Sequence, residues 1–241
     1  DVTDSLEDVQ IDAVTLSKLE AIYQDVKMRK YHHNTLKTVF GLLLVRGYKH
    51  QQKALDVFVP NTIGYLVGHI LQVYFSEVED VRLLNINAKT GNFILDVMSI
   101  FDRDDLEAIA LENDQEFVKI AKAYFDFTTT EVLIYFQDPL QEFHDVFDVI
   151  VGELQPQEYT NYKYYSKLYA NKVTHLPFLM IEKYQEKLKE DGLMVLLVNQ
   201  DFFFHQDFAK LKEESQGLAF LSFIMLPETM FQEQATKKGI L

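Results

Sequence analysis

Apolar residues in this chain first recur every three or four positions and then, beyond Pro60, gather into short bursts separated by amphipathic stretches. Leu16, Leu19, Ile22 and Val26 repeat at helical spacing, as do Leu36, Val39, Phe40, Leu43 and Leu44. That period predicts a small helical N-terminal region over residues 1–55. Its acidic opening, Asp1 to Asp8, is expected to fray, and Gly41 and Gly47 blur where its helices end. After Pro60, Asn61 or Thr62 is a candidate cap for a helix with Ile63, Leu66, Val67, Ile70, Leu71 and Tyr74 on one face. Residues 81–86, 106–111, 132–136, 147–151 and 193–198 read as short buried strands. Residues 218–225 are a sixth candidate, and 239–241 begin a last one. Helices are expected from Asn92, over 115–125 with Phe117, Ile120, Ala121, Tyr124 and Phe125 inward, and over 174–189.

Short strands alternating with helices of ordinary length imply βαβ crossovers. The expected fold is therefore α/β, a doubly wound and mostly parallel Rossmann-like sheet over residues 56–241, with the small helical region before it. Sheets of this kind bind ligands beyond the carboxyl ends of their strands, because the connecting loops and helix N-termini converge there. The residues just after each strand are thus the candidates for function.

Composition narrows the field. A 48% hydrophobic share is ample for a packed interior, and 25% charged residues exclude a disordered chain. No apolar run reaches the roughly 20 residues needed to cross a bilayer, and no signal-peptide pattern opens the chain. The first residue is Asp1 rather than Met, so the native start is expected to be missing. Cysteine is absent, which excludes disulfides, thiolate metal sites and a Cys nucleophile, and fits a cytoplasmic protein. No Ser/His/Asp triad, zinc-ligand spacing or Walker phosphate loop appears along the chain, and the adjacent pair His32-His33 does not share a helix face. Met98, Met180 and Met194 fall in apolar periodic stretches and read as core. The net charge of −14 opposes nonspecific DNA binding. From Lys27 to Lys53, however, there are seven Lys or Arg and no acid. This is either a solvated helix face or a local phosphate-contacting patch.

Read for chemistry, the strand ends offer a series of polar positions. The first strand runs into Asn85-Ile86-Asn87-Ala88-Lys89-Thr90-Gly91-Asn92-Phe93. Such a turn is either an ordinary strand-to-helix connection or a place where backbone N–H groups approach a ligand. The second strand ends in Leu111-Glu112-Asn113-Asp114: Glu112 is placed to accept from ribose hydroxyls, and Asp114 reads as a helix cap. After the third strand, Asp138 is either an acceptor for an exocyclic amine or the start of an Asp-Pro turn. The fourth strand leads into Gly152-Glu153-Leu154-Gln155-Pro156 and a segment rich in Tyr and Lys, from Tyr159 and Tyr162 to Tyr169. Those rings could stack a base, line a helix or form an oligomer contact.

Taken in order, these strand ends resemble the motif series of class I S-adenosylmethionine-dependent methyltransferases. They are closest to the bacterial adenine-specific DNA methyltransferases with a helical N-terminal region, related to modification subunits of restriction systems. The resemblance covers roughly residues 55–241 and is carried by Phe58-Val59-Pro60-Asn61-Thr62-Ile63-Gly64, by Phe143-His144-Asp145-Val146 with Phe147-Asp148-Val149-Ile150-Val151-Gly152, by the stretch from His175-Leu176 to Asp191-Gly192, and by Leu226-Pro227-Glu228-Thr229-Met230-Phe231. Members of the family usually continue beyond such a point, so Leu241 is expected to be a truncation.

The resemblance implies S-adenosylmethionine over the turn at 85–93, with Pro60, Asn85, Asn87, Gly91, Glu112, Asp138 and Gly152 around it. Glu112 would hold the ribose and Asp138 the adenine amine. It implies a catalytic loop on Glu153-Leu154-Gln155-Pro156, in which Glu153 and Gln155 meet the target amine and Tyr159 or Tyr162 stacks a flipped base. It also implies DNA as partner, through the stretch from Lys27 to Lys53. The sequence departs from the family at three of these places: Asn85 stands for an acid, Lys89 for a Gly and Gln155 for a Pro. Two functions therefore compete. One is methyl transfer from S-adenosylmethionine to the exocyclic amine of adenine in DNA, with a non-DNA substrate as a variant of it. The other is a degenerate, non-catalytic scaffold that binds or regulates.

Overall fold

Seven strands build one sheet: β1 (Arg82–Ile86), β2 (Glu107–Glu112), β3 (Leu133–Phe136), β4 (Phe147–Glu153), β5 (Leu188–Asn199), β6 (Ile224–Met225) and β7 (Lys238–Ile240). Their order is β3-β2-β1-β4-β5-β7-β6. The first five are mutually parallel, while β7 runs antiparallel to both β5 and β6. The computed structural model describes residues 11–28, 31–160, 166–231 and 237–241. The expected doubly wound, mostly parallel sheet is what the chain forms.

The central strands are continuous apolar runs because both of their faces are covered. Leu83, Val149, Val151 and Val195 point into one core, against α3 (Asn61–Tyr74), α4 (Asn92–Met98) and α5 (Gln115–Thr128). Leu84, Ile86, Ile150 and Leu196 point into the other, against α6 (Lys167–Ala170), α7 (Leu176–Gln185) and α8 (Phe208–Glu214). Two N-terminal helices precede these: α1 (Ala13–Met28) and α2 (His33–His50). The second lies against α5, where Phe40 stacks on Tyr124 at 4.4 Å and Tyr124 Oη donates to Lys37 O at 2.7 Å.

Several local expectations need correction. Neither Asn61 nor Thr62 caps α3: Pro60 is the N-cap, with no side-chain hydrogen bond. The Asn61 amide is drawn away to Asp96 Oδ1 at 3.2 Å. The helix expected over 174–189 stops at Gln185, because Phe147 N donates to Lys187 O in the turn that follows and Phe147 pairs with Leu188, the first residue of β5. The strand expected over 218–225 shrinks to Ile224–Met225 at the sheet edge, where Leu221 is left 68% exposed. The stripe of α1 buries little, with Leu19 and Ile22 both exposed. By contrast Asp114 caps α5 as expected, accepting from Glu116 N at 2.7 Å and Phe117 N at 3.2 Å. No helix among the described residues is long and apolar enough to cross a membrane.

Candidate functional site

The turn after β1 is shaped for a close approach of backbones. Gly91 sits at φ 78°, and a Cβ placed on it would lie 2.7 Å from the Phe125 ring. A residue with a side chain would be strained there and would also collide, so only Gly fits. Lys89 adopts φ 51°, a left-handed conformation that suits Gly and costs a side-chain-bearing residue about 1–2 kcal/mol. The backbone thus keeps a glycine's conformation at a position that carries a lysine. Gly152 on β4 is similarly confined, since a Cβ would come 2.4 Å from Ile86 O.

The Lys89 side chain does not reach solvent. Its Nζ donates to Glu153 Oε2 at 2.6 Å, and only 8% of the side chain is exposed. Lys238, arriving on β7, donates to the other oxygen, Glu153 Oε1. The same ammonium lies 5.0 Å from the centre of the Phe231 ring. Burial alone would raise the Glu153 carboxyl, but the charges of Lys89 and Lys238 outweigh it and hold the group below the ordinary Glu value. Lys89 and Lys238 therefore lie one on each oxygen of the carboxylate that ends β4.

The remaining strand-end groups are also committed to protein partners. Glu112 accepts from three backbone N–H groups: Lys89 N at 2.6 Å on Oε2, and Asn113 N at 2.8 Å and Asp114 N at 2.9 Å on Oε1. Its carboxyl is nonetheless pushed up, because burial outweighs those three bonds. Asn85 is fully buried, and its amide donates to Val151 O at 3.2 Å, leaving Oδ1 without a hydrogen-bond partner among the described residues. Asn87 donates to Glu153 O at 2.9 Å. Both asparagines stitch the end of β1 to β4. Asp138 accepts from Leu140 N at 2.8 Å and from Tyr159 Oη at 2.8 Å. The acid after β3 and one candidate stacking ring are thus brought together. Tyr162 lies outside the described residues.

A cleft of about 690 Å³ lies over the ends of β4, β5 and β7 and beneath the segment leading into α3. Of the expected site residues, Pro60 and Gln155 line it, together with Val59, Asn61, Phe231 and Lys238. Asn85, Asn87, Gly91, Glu112, Asp138, Gly152, Glu153 and Tyr159 do not. At the loops of Asn85, Glu112 and Asp138, where a nucleoside pocket is expected, the Lys89 bridge and the three backbone bonds to Glu112 engage the polar groups.

S-Adenosylmethionine would meet groups at these strand ends that are already engaged by the protein itself. It is a cationic ligand whose ribose needs free acceptors, yet the acid of the turn is replaced by a sheet-bonded amide. A buried ammonium crosses the turn, and the ribose acid is enclosed in its own loop. The basic stretch is also less available than its composition suggests. Lys37 is buried and pairs with Asp96 at 2.9 Å while donating to Ser99 Oγ at 2.7 Å, and Lys53 pairs with Glu116 at 2.5 Å. Arg46 and Lys49 remain exposed.

Sequence reasoning flagged Lys89 as a departure but missed Lys238. Nothing in Lys237-Lys238-Gly239 announces that a short antiparallel strand will insert beside β5 and place an ammonium on Glu153.

No family model matches the chain. Among curated proteins, the uncharacterized protein YtxK of Bacillus subtilis is 23% identical over 145 residues, 60% of this chain and 44% of YtxK. The chain thus spans less than half the length of that relative. Among solved structures, a Listeria monocytogenes protein assigned provisionally as a class I S-adenosylmethionine-dependent methyltransferase superposes with a TM-score of 0.78 at 24% identity, covering 92% of this chain and 71% of that one. The methyltransferase subunit of a type I restriction-modification system from Streptococcus thermophilus gives a TM-score of 0.63 at 13% identity, over 76% of this chain and 43% of that one. TrmN from Thermus thermophilus gives 0.51 at 14%, over 72% and 46%. The fold is that of the class I S-adenosylmethionine-dependent methyltransferases.

Proposed function

We propose that this chain is a methyltransferase-fold domain that has lost methyl transfer and acts as a binding or regulatory module. One observation carries the reading: the buried bridge Lys89–Glu153–Lys238, in which two ammonium groups hold the carboxylate that would face a target amine. A group that accepts from an amine must keep a lone pair accessible, and this one is buried with a cation on each oxygen. The enclosed Glu112 and the sheet-bonded Asn85 support the same reading from the other side of the turn. The open cleft supports a binding role, since it combines apolar walls at Val59 and Phe231 with polar groups from Asn61 and Asn199.

Calorimetric titration of the purified chain with S-adenosylmethionine and S-adenosylhomocysteine tests the proposal. No heat and no thermal shift are expected from either ligand. One-to-one binding in the micromolar range would overturn it.

A second reading, methylation of adenine in DNA, draws on the pairing of Asp138 with Tyr159 and on the likeness to a restriction-modification methyltransferase subunit. It requires the Lys89 bridge to open and a phosphate-binding surface from Lys27 to Lys53. Incorporation of labelled methyl groups into DNA adenine, abolished in Glu153→Gln, would establish it.

A further inference from the structure

We infer that the cleft over the ends of β4, β5 and β7 binds a small organic monocarboxylate with an apolar body, its carboxylate held by Lys238, Asn199 and the N-terminus of α3. The inference rests on the binding role proposed above and gives that role a ligand. Charge is the first reason. In the bridge Lys89–Glu153–Lys238 two ammonium groups face one carboxylate, and among the described residues no second acid pairs with either. One positive charge is therefore left uncompensated in a largely buried setting, where an unpaired charge is costly. Lys238 is the member of the three that lines the cleft. An ammonium carries three N–H donors, and this one gives one to Glu153 Oε1. The others remain for a ligand.

The second reason is an amide with nothing to bind. Asn199 is only 9% exposed and lines the cleft, yet its side chain has no hydrogen-bond partner among the described residues and does not cap the 3₁₀ turn that follows it. A buried polar group without a partner destabilises the free protein, and a ligand that bonds to it removes the penalty. Asn199 lies directly opposite Lys238 in the antiparallel ladder of β5 and β7, so the two side chains leave the same face of the sheet. An amide N–H beside an ammonium matches the two oxygens of one carboxylate.

The third reason is the end of a helix. α3 opens on the cleft through Pro60, Asn61 and Thr62; its N-cap supplies no side-chain acceptor and its first turn holds no acid. The N–H groups of Asn61 and Thr62 meet no acceptor among the described residues, and they concentrate the partial positive charge of this 14-residue helix. Phe58, Val59, Met230 and Phe231 supply apolar wall for the body of the ligand. The volume of about 690 Å³ falls within the range of roughly 300–1,000 Å³ usual for small-molecule sites. A single surplus charge calls for a monoanion, and a phosphate dianion would overshoot it with the Glu153 carboxylate close by. Asp56, the acid of the lining, is exposed, where solvent and salt screen its charge.

The test titrates the whole chain with phenylacetate and with hexanoate, read by calorimetry and by ligand-observed NMR. Saturable one-to-one binding in the micromolar to sub-millimolar range is expected, weakening as salt is added. Phenylacetamide, the same shape without the charge, should bind at least about tenfold more weakly than phenylacetate. Lys238→Met should weaken phenylacetate by at least about tenfold. Asn199→Ala should weaken it several-fold while leaving the melting temperature of the free protein unchanged, since that amide bonds nothing there; a purely structural asparagine would move the melt instead. Absence of saturable binding of both carboxylates to the folded chain would overturn the proposal, as would equal affinity for phenylacetamide, tighter binding of inorganic phosphate, or affinity that survives Lys238→Met and Asn199→Ala. S-Adenosylmethionine is titrated in parallel: its binding would overturn the loss of the methyl donor site, which the carboxylate titrations do not probe, so the two failures are told apart.

Discussion

Replacing Lys89 probes the bridge most directly. In Lys89→Met the length of the side chain is kept and its charge removed, so Glu153 loses one of its two ammonium partners in a buried setting. Removing one member of a buried ion pair typically costs about 3–5 kcal/mol, because the remaining charge is left uncompensated. Lys238 stays in place on the other oxygen, which brings the expected loss down to roughly 2–3 kcal/mol. In Lys89→Gly the same pair is lost, but the backbone at φ 51° is relieved of about 1 kcal/mol of left-handed strain. The glycine variant should therefore be the more stable of the two. For a chain of 241 residues the melting temperature moves by roughly 2–4 °C per kcal/mol, so Lys89→Met should melt about 4–12 °C below the parent and Lys89→Gly a few degrees above Lys89→Met. Differential scanning calorimetry reads both. A Lys89→Met variant as stable as the parent would refute the view that this lysine is a buried structural bridge, and with it the case for a closed donor site.

Three further outcomes follow from the same contacts. Glu153 has a carboxyl held low in the folded state, so its ionised form contributes stability above the unfolded value of about 4.5 and that contribution is lost as pH falls below it. The stability gap between the parent and Glu153→Gln, measured by denaturant unfolding, should accordingly be widest near neutral pH and narrow below about pH 4.5; a gap independent of pH would contradict the assignment. Lys37→Met should destabilise by about 3–5 kcal/mol by orphaning buried Asp96, and the double variant Lys37→Met with Asp96→Leu should recover most of that loss in the same unfolding assay. Asp114→Ala removes the cap that accepts from Glu116 N and Phe117 N and should cost about 1 kcal/mol in thermal melts.

Much of the fold was legible along the chain. The bursts that become β1, β2, β4 and β5 are continuous apolar runs, which only a strand covered on both faces needs. The stripe Ile63, Val67 and Leu71 is a helix face whatever surrounds it. Errors fell where a long-range partner decides. Lys187 and Leu188 left the helical pattern because Phe147 was available to pair with them. The candidate site was legible as a set of positions but not as an arrangement: Glu112, Asp138 and Glu153 were found at strand ends, yet which groups they would face was not written beside them.

What the sequence determined by itself was the alternation of strands and helices, hence the class of sheet and the edge at which polar residues collect, since burial period is a local property of the chain. Tertiary structure alone decided that Lys89 and Lys238 meet on one carboxylate, and that His175, His205 and Glu158 converge. These groups are separated by more than fifteen residues in sequence, and what brings them within a few ångströms of one another is the packing of strands and loops that the fold creates. Their chemistry depends on distance and burial, and both exist only once the sheet has closed over them.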